Sequence, residues 1–190
     1  MQLNPHRSKL LMPLLVLIIL VMMVQNYFLV RKNDLAQKRI AQLLDEVNKR
    51  SVISNGQQMA AFEGVNLDSQ RVIIDLQSGR KKKLLFVFAA SCGACSRNMD
   101  QWNWIVENTN PGSAEIIGLC ADSLNRIREY FNKVRVSFRV FSLSINPSVL
   151  TKYKFLAVPQ TVLVDSAGVV INVWTGVLSN EKREEIQKSV

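Results

Sequence analysis

The hydrophobic rhythm of the chain changes three times. Residues 10–30 form a run of 21 without a formal charge, and residues 10–24 are apolar throughout, Pro13 included. At about 1.5 Å of rise per residue, such a helix spans a bilayer core of about 30 Å. Residues 34–50 are instead amphipathic, with Ala36, Ile40, Leu43 and Val47 recurring at spacings of four, three and four. That spacing predicts a helix with a short a/d-like seam, which can pair two protomers weakly through 36–47 or pack against the rest of the chain. After Ser51 to Gln58, marked as a linker's end by Asn55-Gly56, the pattern becomes short apolar runs separated by turn residues.

These runs predict alternating strands and helices. Short strands and turns are expected over 65–74 and up to the Ser78-Gly79 turn, and a buried central strand over 84–90. A helix over 97–106 follows, then a loop over 108–112, a strand over 114–119 and a helix over 123–134. The remainder reads as a strand over 138–143 and a short helix over 147–153, with Asn146 as its cap and Pro147 in its first turn. A strand over 161–165 turns at Ser166-Ala167-Gly168 into a partner over 169–174, and a helix closes the pattern over 181–188. Strands alternating with helices give an α/β sheet. The chain thus divides into a tail over 1–9, a transmembrane anchor over 10–30, a helical linker over 31–58 and an α/β domain over 59–190. The anchor is expected to be retained, because Val24-Gln25-Asn26-Tyr27-Phe28-Leu29-Val30 offers no small-x-small cleavage pair. Tyr27 suits the membrane interface.

Charge adds little to the assignment of partners. The formal net charge is +9, much of it in residues 31–50 and in Arg80-Lys81-Lys82-Lys83. Attraction to anionic headgroups and a plain solvated face are both open readings. No nucleic-acid-reading motif accompanies the charge, so no nucleic acid is expected as partner. Arg7 and Lys9 precede the anchor while Arg31, Lys32, Lys38 and Arg39 follow it, a count that would place the C-terminal part inside. That rule weakens for long translocated domains and leaves the side undecided.

Chemistry concentrates at Cys92-Gly93-Ala94-Cys95, between the central strand and the following helix. A Cys-x-x-Cys pair there marks a two-electron dithiol/disulfide switch. Helix N-termini leave backbone N–H groups unpaired and carry positive potential, which favours a thiolate at Cys92 and makes it the nucleophile. Cys95, one turn on, can resolve a mixed disulfide formed on Cys92. A structural zinc site would need four ligands, and neither Cys120 nor the single His6 completes one. A c-type haem attachment would need His after the second cysteine, where Ser96 stands. An inert disulfide closing so short a loop would add little stability. No cofactor beyond the redox-active Cys92–Cys95 pair is expected, and no metal.

The order of elements around the cysteine pair resembles the thioredoxin superfamily, and Val158-Pro159-Gln160-Thr161-Val162-Leu163-Val164-Asp165 with Gly168 resembles its cis-proline segment. The anchor, the lead-in over 62–80 and the added strand–helix unit resemble the membrane-anchored TlpA/ResA-like thiol-disulfide oxidoreductases. The resemblance implies a thioredoxin-like fold with a central mixed sheet flanked by helices. It also implies a cis Val158–Pro159 bond facing the cysteines, with Val158 and Pro159 positioning the substrate chain and Pro159 excluding metal. It further implies a protein thiol or disulfide as substrate, a membrane thiol transporter as electron donor, and a catalytic domain on the extracytoplasmic side of a bacterial membrane. Keeping an exported apoprotein reduced, as before haem attachment, is one duty it implies.

Three positions depart from the pattern: Ser91 replaces a common Trp, Ala94 a common Pro, and Phe86 the buried carboxylate of thioredoxins. An apolar group at 86 cannot relay a proton to Cys95, so any general base must be another residue or water. No His lies between the cysteines to stabilise a thiolate strongly, which leans the reading to a reductant. Two other readings compete: a peroxiredoxin-type peroxidase, which lacks its Pro and Thr because Leu85 and Ala89 stand there, and a binding module with a static disulfide. Cys120 reads as a small buried hydrophobe, Trp102, Trp104 and Trp174 as packing residues, Arg97 as a solvated charge, and Gly176 as a turn.

Overall fold

The computed structural model describes the backbone of residues 5–190, with side chains from 51 onward and at 13, 15–43 and 46. The start of the expected tail and the side chains of His6, Leu10 and Val47 lie outside the described residues. The chain forms two compact units, Met1–Val47 and Asn48–Val190.

The first unit is helical. The helix α1 runs without interruption over Pro5–Ser51, so the expected anchor and the expected linker as far as Ser51 lie on one helix, while residues 52–58 are not helical. The reason is compositional: after Pro13 no Gly or Pro occurs before Gly56. Its segment Leu15–Leu43 is long and apolar enough to cross a membrane. The seam residues Ile40 and Leu43 are exposed, and Arg31 stacks its guanidinium over Tyr27, 5.3 Å from the ring centre.

The second unit is an α/β domain. Its elements are β1 (Phe62–Asn66), β2 (Arg71–Ile74), β3 (Lys82–Phe88), α2 (Gly93–Asn108), β4 (Ala114–Cys120) and α3 (Leu124–Phe131). They continue as β5 (Arg139–Ser142), α4 (Pro147–Lys152), β6 (Gln160–Val164), β7 (Val170–Thr175) and α5 (Asn180–Ser189). One mixed sheet has the order β2-β1-β5-β4-β3-β6-β7. The strands β3, β4 and β5 run parallel, while β6, β7, β1 and β2 join by antiparallel pairing.

The apolar run of β3 builds both cores. Leu84, Phe86 and Phe88 face a cluster with Cys95, Met99, Trp102 and Ile105 of α2, Ile127 of α3 and Ile186 of α5. Leu85 and Val87 face the other side, with Val149 and Leu150 of α4 and Ile53, Met59 and Tyr153. A strand buried on both faces shows this near-continuous apolar character. The fold also reaches back before residue 59. Ile53 is buried, and the Gly56 and Met59 amides donate to Val170 O and Gly168 O, both at 2.8 Å.

One expected boundary is corrected, and two local expectations gain detail. The helix expected from residue 97 begins at Gly93, directly behind Cys92. The strands expected over 65–74 are a hairpin whose turn is stitched by Asn66 Oδ1, which accepts the Asp68 and Gln70 amides at 3.0 and 2.8 Å. Asn146 sits at the N-cap of α4, but its Oδ1 accepts from the Ser148 hydroxyl at 2.8 Å and caps no backbone amide.

Candidate active site

The two cysteines occupy unlike environments because of where α2 starts. Cys92 is itself the N-cap, with extended backbone angles (φ −90°, ψ 109°), and its Sγ accepts the Cys95 N–H at 3.2 Å. This is the position where Ser, Thr, Asp or Asn usually satisfies a free helical amide. The first turn of α2 contains no acidic residue, so no carboxylate competes with sulfur for the positive helix end. Cys92 is half-buried, whereas Cys95 is fully buried, and both are free thiols. Burial pushes the Cys95 thiol well above the ordinary range, and its hydrogen bond to Cys92 Sγ pushes it further the same way. The proton therefore stays on Cys95, and the accessible sulfur at the helix end is the one placed to react.

Around this pair the fold supplies three polar braces. Asp122, at the end of the segment following β4, accepts the Ala90 N–H at 2.7 Å and so holds the loop entering the cysteines. The Val158–Pro159 bond is cis, and Val158 O lies 4.0 Å from Cys92 Sγ. The Pro159 carbonyl accepts the Gly176 N–H at 3.0 Å. Asn98, fully buried on α2, donates to Gly176 O at 2.9 Å and accepts the Leu178 N–H at 2.7 Å. The helix carrying the cysteines is thereby tied to the loop carrying Pro159. Gln160, also buried, donates to Lys154 O at 2.7 Å and Ala157 O at 2.6 Å, which shapes the chain before Pro159.

At the position of the carboxylate missing from the sequence pattern, Phe86 stacks on Trp102, with ring centres 5.0 Å apart and planes at 15°, and meets Phe138 edge-on at 4.9 Å. Trp102 in turn donates its indole N–H to Thr161 Oγ1 at 2.9 Å. Where a carboxylate would stand there is thus an aromatic stack, and none of its rings can pass a proton to Cys95. Cys120 is buried at the end of β4, where burial pushes its thiol up to about 11, so it packs as an apolar group. Trp102 and Trp174 are buried as well, Trp104 lies beneath the Arg183 guanidinium at 3.9 Å, and Arg97 is exposed. Among the described residues, no group of three or more His, Cys, Asp or Glu side chains could hold a metal.

The sequence reading missed Asn98, Asp122 and Gln160. Asn98 had a readable signal: it lies among Cys95, Met99, Trp102 and Ile105, a polar residue on the apolar stripe of α2.

The Redoxin family profile matches residues 54–189. The fold is similar to the thioredoxin domain of a thiol-disulfide oxidoreductase from Bacteroides vulgatus, with 18% identity and a TM-score of 0.62 over 73% of this chain and 99% of that one. It is also similar to StoA from Bacillus subtilis, with 13% identity and a TM-score of 0.56 over 68% of this chain and 95% of that one. Peroxidoxin BcpB from Mycobacterium tuberculosis shares the fold too, with 14% identity and a TM-score of 0.57 over 72% of this chain and 95% of that one. Among curated proteins, none matches the chain.

Proposed function

This chain belongs to the Redoxin family, and from that premise we propose that it is a thiol–disulfide oxidoreductase whose Cys92–Cys95 dithiol reduces disulfides of exported protein partners while α1 holds it at a membrane. The observation that carries this reading is the pairing of a half-exposed Cys92 sulfur at the N-cap with a buried, protonated Cys95. Cys92 thiolate attacks one sulfur of the partner disulfide, and the partner's other sulfur leaves as a thiolate and takes up a proton. In the mixed disulfide, Cys92 no longer carries charge or accepts the Cys95 proton, so two of the influences that hold that proton are gone. Cys95 then loses its proton and attacks Cys92 Sγ, and the partner departs with its second thiol. The partner gains two electrons and this chain ends with a Cys92–Cys95 disulfide.

Val158 and Pro159 position the partner chain in this scheme, and no cofactor takes part. A membrane thiol transporter restores the dithiol, and the domain works on the extracytoplasmic side of a bacterial membrane. Reduction before haem attachment is one duty that fits. The similarity to a peroxidoxin does not favour a peroxidase here, since buried Leu85 and half-buried Ala89 offer no group to polarise a peroxide.

The test is trapping. Full-length Cys95→Ser, expressed at its membrane, is expected to accumulate partners on Cys92 as mixed disulfides that dissociate on reduction. A normally folded variant that captures no protein refutes the mechanism. A wild-type Cys92–Cys95 bond that stays closed below about −300 mV identifies a static disulfide instead.

A further inference from the structure

A cavity of about 240 Å³ opens beside the cysteine pair, lined by Ala90, Ser91, Arg126, Glu129, Tyr130 and Lys133. One wall is the loop that leads into Cys92. The other is α3 and the turn that closes it, with Arg126 and Tyr130 one helical turn apart. Tyr130 fastens the two walls, its hydroxyl donating to Ser96 Oγ at 3.2 Å in the first turn of α2.

The cavity carries two cations and one carboxylate. Lys133 and Glu129 take part in no ion pair among the described residues. Arg126 approaches Asp122 only at 3.4 Å, with its side chain 66% exposed. Asp122 also accepts the Ala90 amide. Such an exposed, long pair is weak and leaves the guanidinium free to take a better acceptor. The lining residues alone carry one net positive charge, which Asp122 at the edge offsets, so an entering carboxylate is met by Lys133 and by the Arg126 guanidinium as it turns from Asp122. The cavity's place suits a partner chain, because Ser91 is the neighbour of Cys92 and adjacent Cα atoms are about 3.8 Å apart.

We propose that this cavity seats an aspartate or glutamate side chain of the partner polypeptide, within two residues of the cysteine that exchanges with Cys92. The inference rests on the exchange reading above and adds to it the chemistry of the substrate segment. Partners with a flanking acid are held in register for attack, while partners with a flanking lysine meet like charge.

Full-length reduced protein in detergent micelles tests it, with three peptides that carry one cysteine as a mixed disulfide with thionitrobenzoate and differ only in a flanking Glu, Gln or Lys. Cys92 thiolate attacks the peptide sulfur and releases coloured thionitrobenzoate, and Cys95 then closes the ring and releases the peptide thiol. At low ionic strength the Glu peptide is expected to react about twofold to tenfold faster than the Gln peptide, with the Lys peptide slowest. Lys133→Gln should narrow that spread, and Arg126→Glu with Lys133→Glu should reverse its order. A glutathione–thionitrobenzoate disulfide run alongside should not outpace the Glu peptide; if it does, the seat belongs to a free tripeptide. Equal rates for the three peptides in wild type overturn the carboxylate seat while leaving exchange intact. Failure of every peptide to release thionitrobenzoate refutes the exchange reading itself.

Discussion

Replacing Asn98 with alanine tests how the cysteine helix is tied to the proline loop. The substitution removes the donor to Gly176 O and the acceptor for Leu178 N–H. These two losses are unequal. Leu178 is buried, so its amide bears the full desolvation penalty, about 1–3 kcal/mol. Gly176 lies on an exposed turn where water can take over its carbonyl, a loss of about 0.5–1 kcal/mol. The sum, about 1.5–4 kcal/mol, is a large share of the roughly 5–15 kcal/mol that holds a typical domain together. Urea unfolding of the full chain in mild detergent, followed by tryptophan fluorescence, should show the midpoint falling by roughly 1–2 M. Exchange with partner disulfides should slow as well, because Gly176 also donates to Pro159 O. Asn98→Asp gives a second handle. As a neutral acid it can still donate to Gly176 O and accept from Leu178, but as a buried carboxylate it loses the donor. Its folded pKa therefore lies above the unfolded value of about 3.9. The variant should come nearest to wild type below about pH 4 and lose ground as pH rises through the folded pKa. A midpoint unmoved in Asn98→Ala, with the steepness of the transition also unchanged, refutes the tie.

Two further outcomes follow from the core. Gly118→Ala places a Cβ 2.7 Å from Phe138 Cε2 and 2.8 Å from Val140 Cγ2, against the ring that packs on Phe86. The expected cost is about 1–3 kcal/mol, read as a Tm lower by roughly 3–10 °C, and an unchanged Tm contradicts the packing. The reduced protein should also lose stability in alkali. Burial holds the Cys120 proton up to about 11 and raises Cys95 as well, against about 8.5 in an unfolded chain. The folded state binds those protons more tightly, so their contribution is complete below about pH 8.5 and drains away as pH rises through the folded values. Cys120→Ala should flatten part of that decline between about pH 8.5 and 11, and wild type and variant falling in parallel would count against it.

How much of this was readable in advance depended on the range over which each residue acts. The run Leu84-Leu85-Phe86-Val87-Phe88 announces a strand buried on both faces because every position is apolar. The cysteine pair is equally plain, since its spacing and junction are local. The start of α2 was not, because Gly93 and Ala94 give no capping signal and a cysteine is not the usual N-cap. The uninterrupted α1 was obscured by the change from apolar to amphipathic pattern, which alters what the helix faces and not whether it is a helix. Asn98 and Asp122 act on backbone groups that only the folded topology brings near, whereas Gln160 acts on carbonyls three and six positions before it. Asn98 reaches Gly176 and Leu178 from 78 and 80 positions away, so its place on the apolar stripe signals a buried polar group but not which partners satisfy it.

The sheet pairing described above also divides the domain into parts that open at different free-energy cost. The strand β3 is ladder-bonded to β4 from Lys82 to Phe88 and to β6 from Lys83 to Val87. The β1–β2 hairpin meets the rest of the sheet through Val65↔Ser142 and Asn66↔Phe141, with Phe62 and Ile74 as its buried grip and Ile73 66% exposed. Local fluctuations follow such differences in backbone pairing and burial. Amide protons of β2 should therefore trade with solvent well ahead of those in β3. The hairpin can peel from the edge while the strand that delivers Cys92 stays registered on both sides. Cys92 thus follows directly on the strand most firmly paired, and a partner that disturbs the sheet's far edge leaves that strand in place.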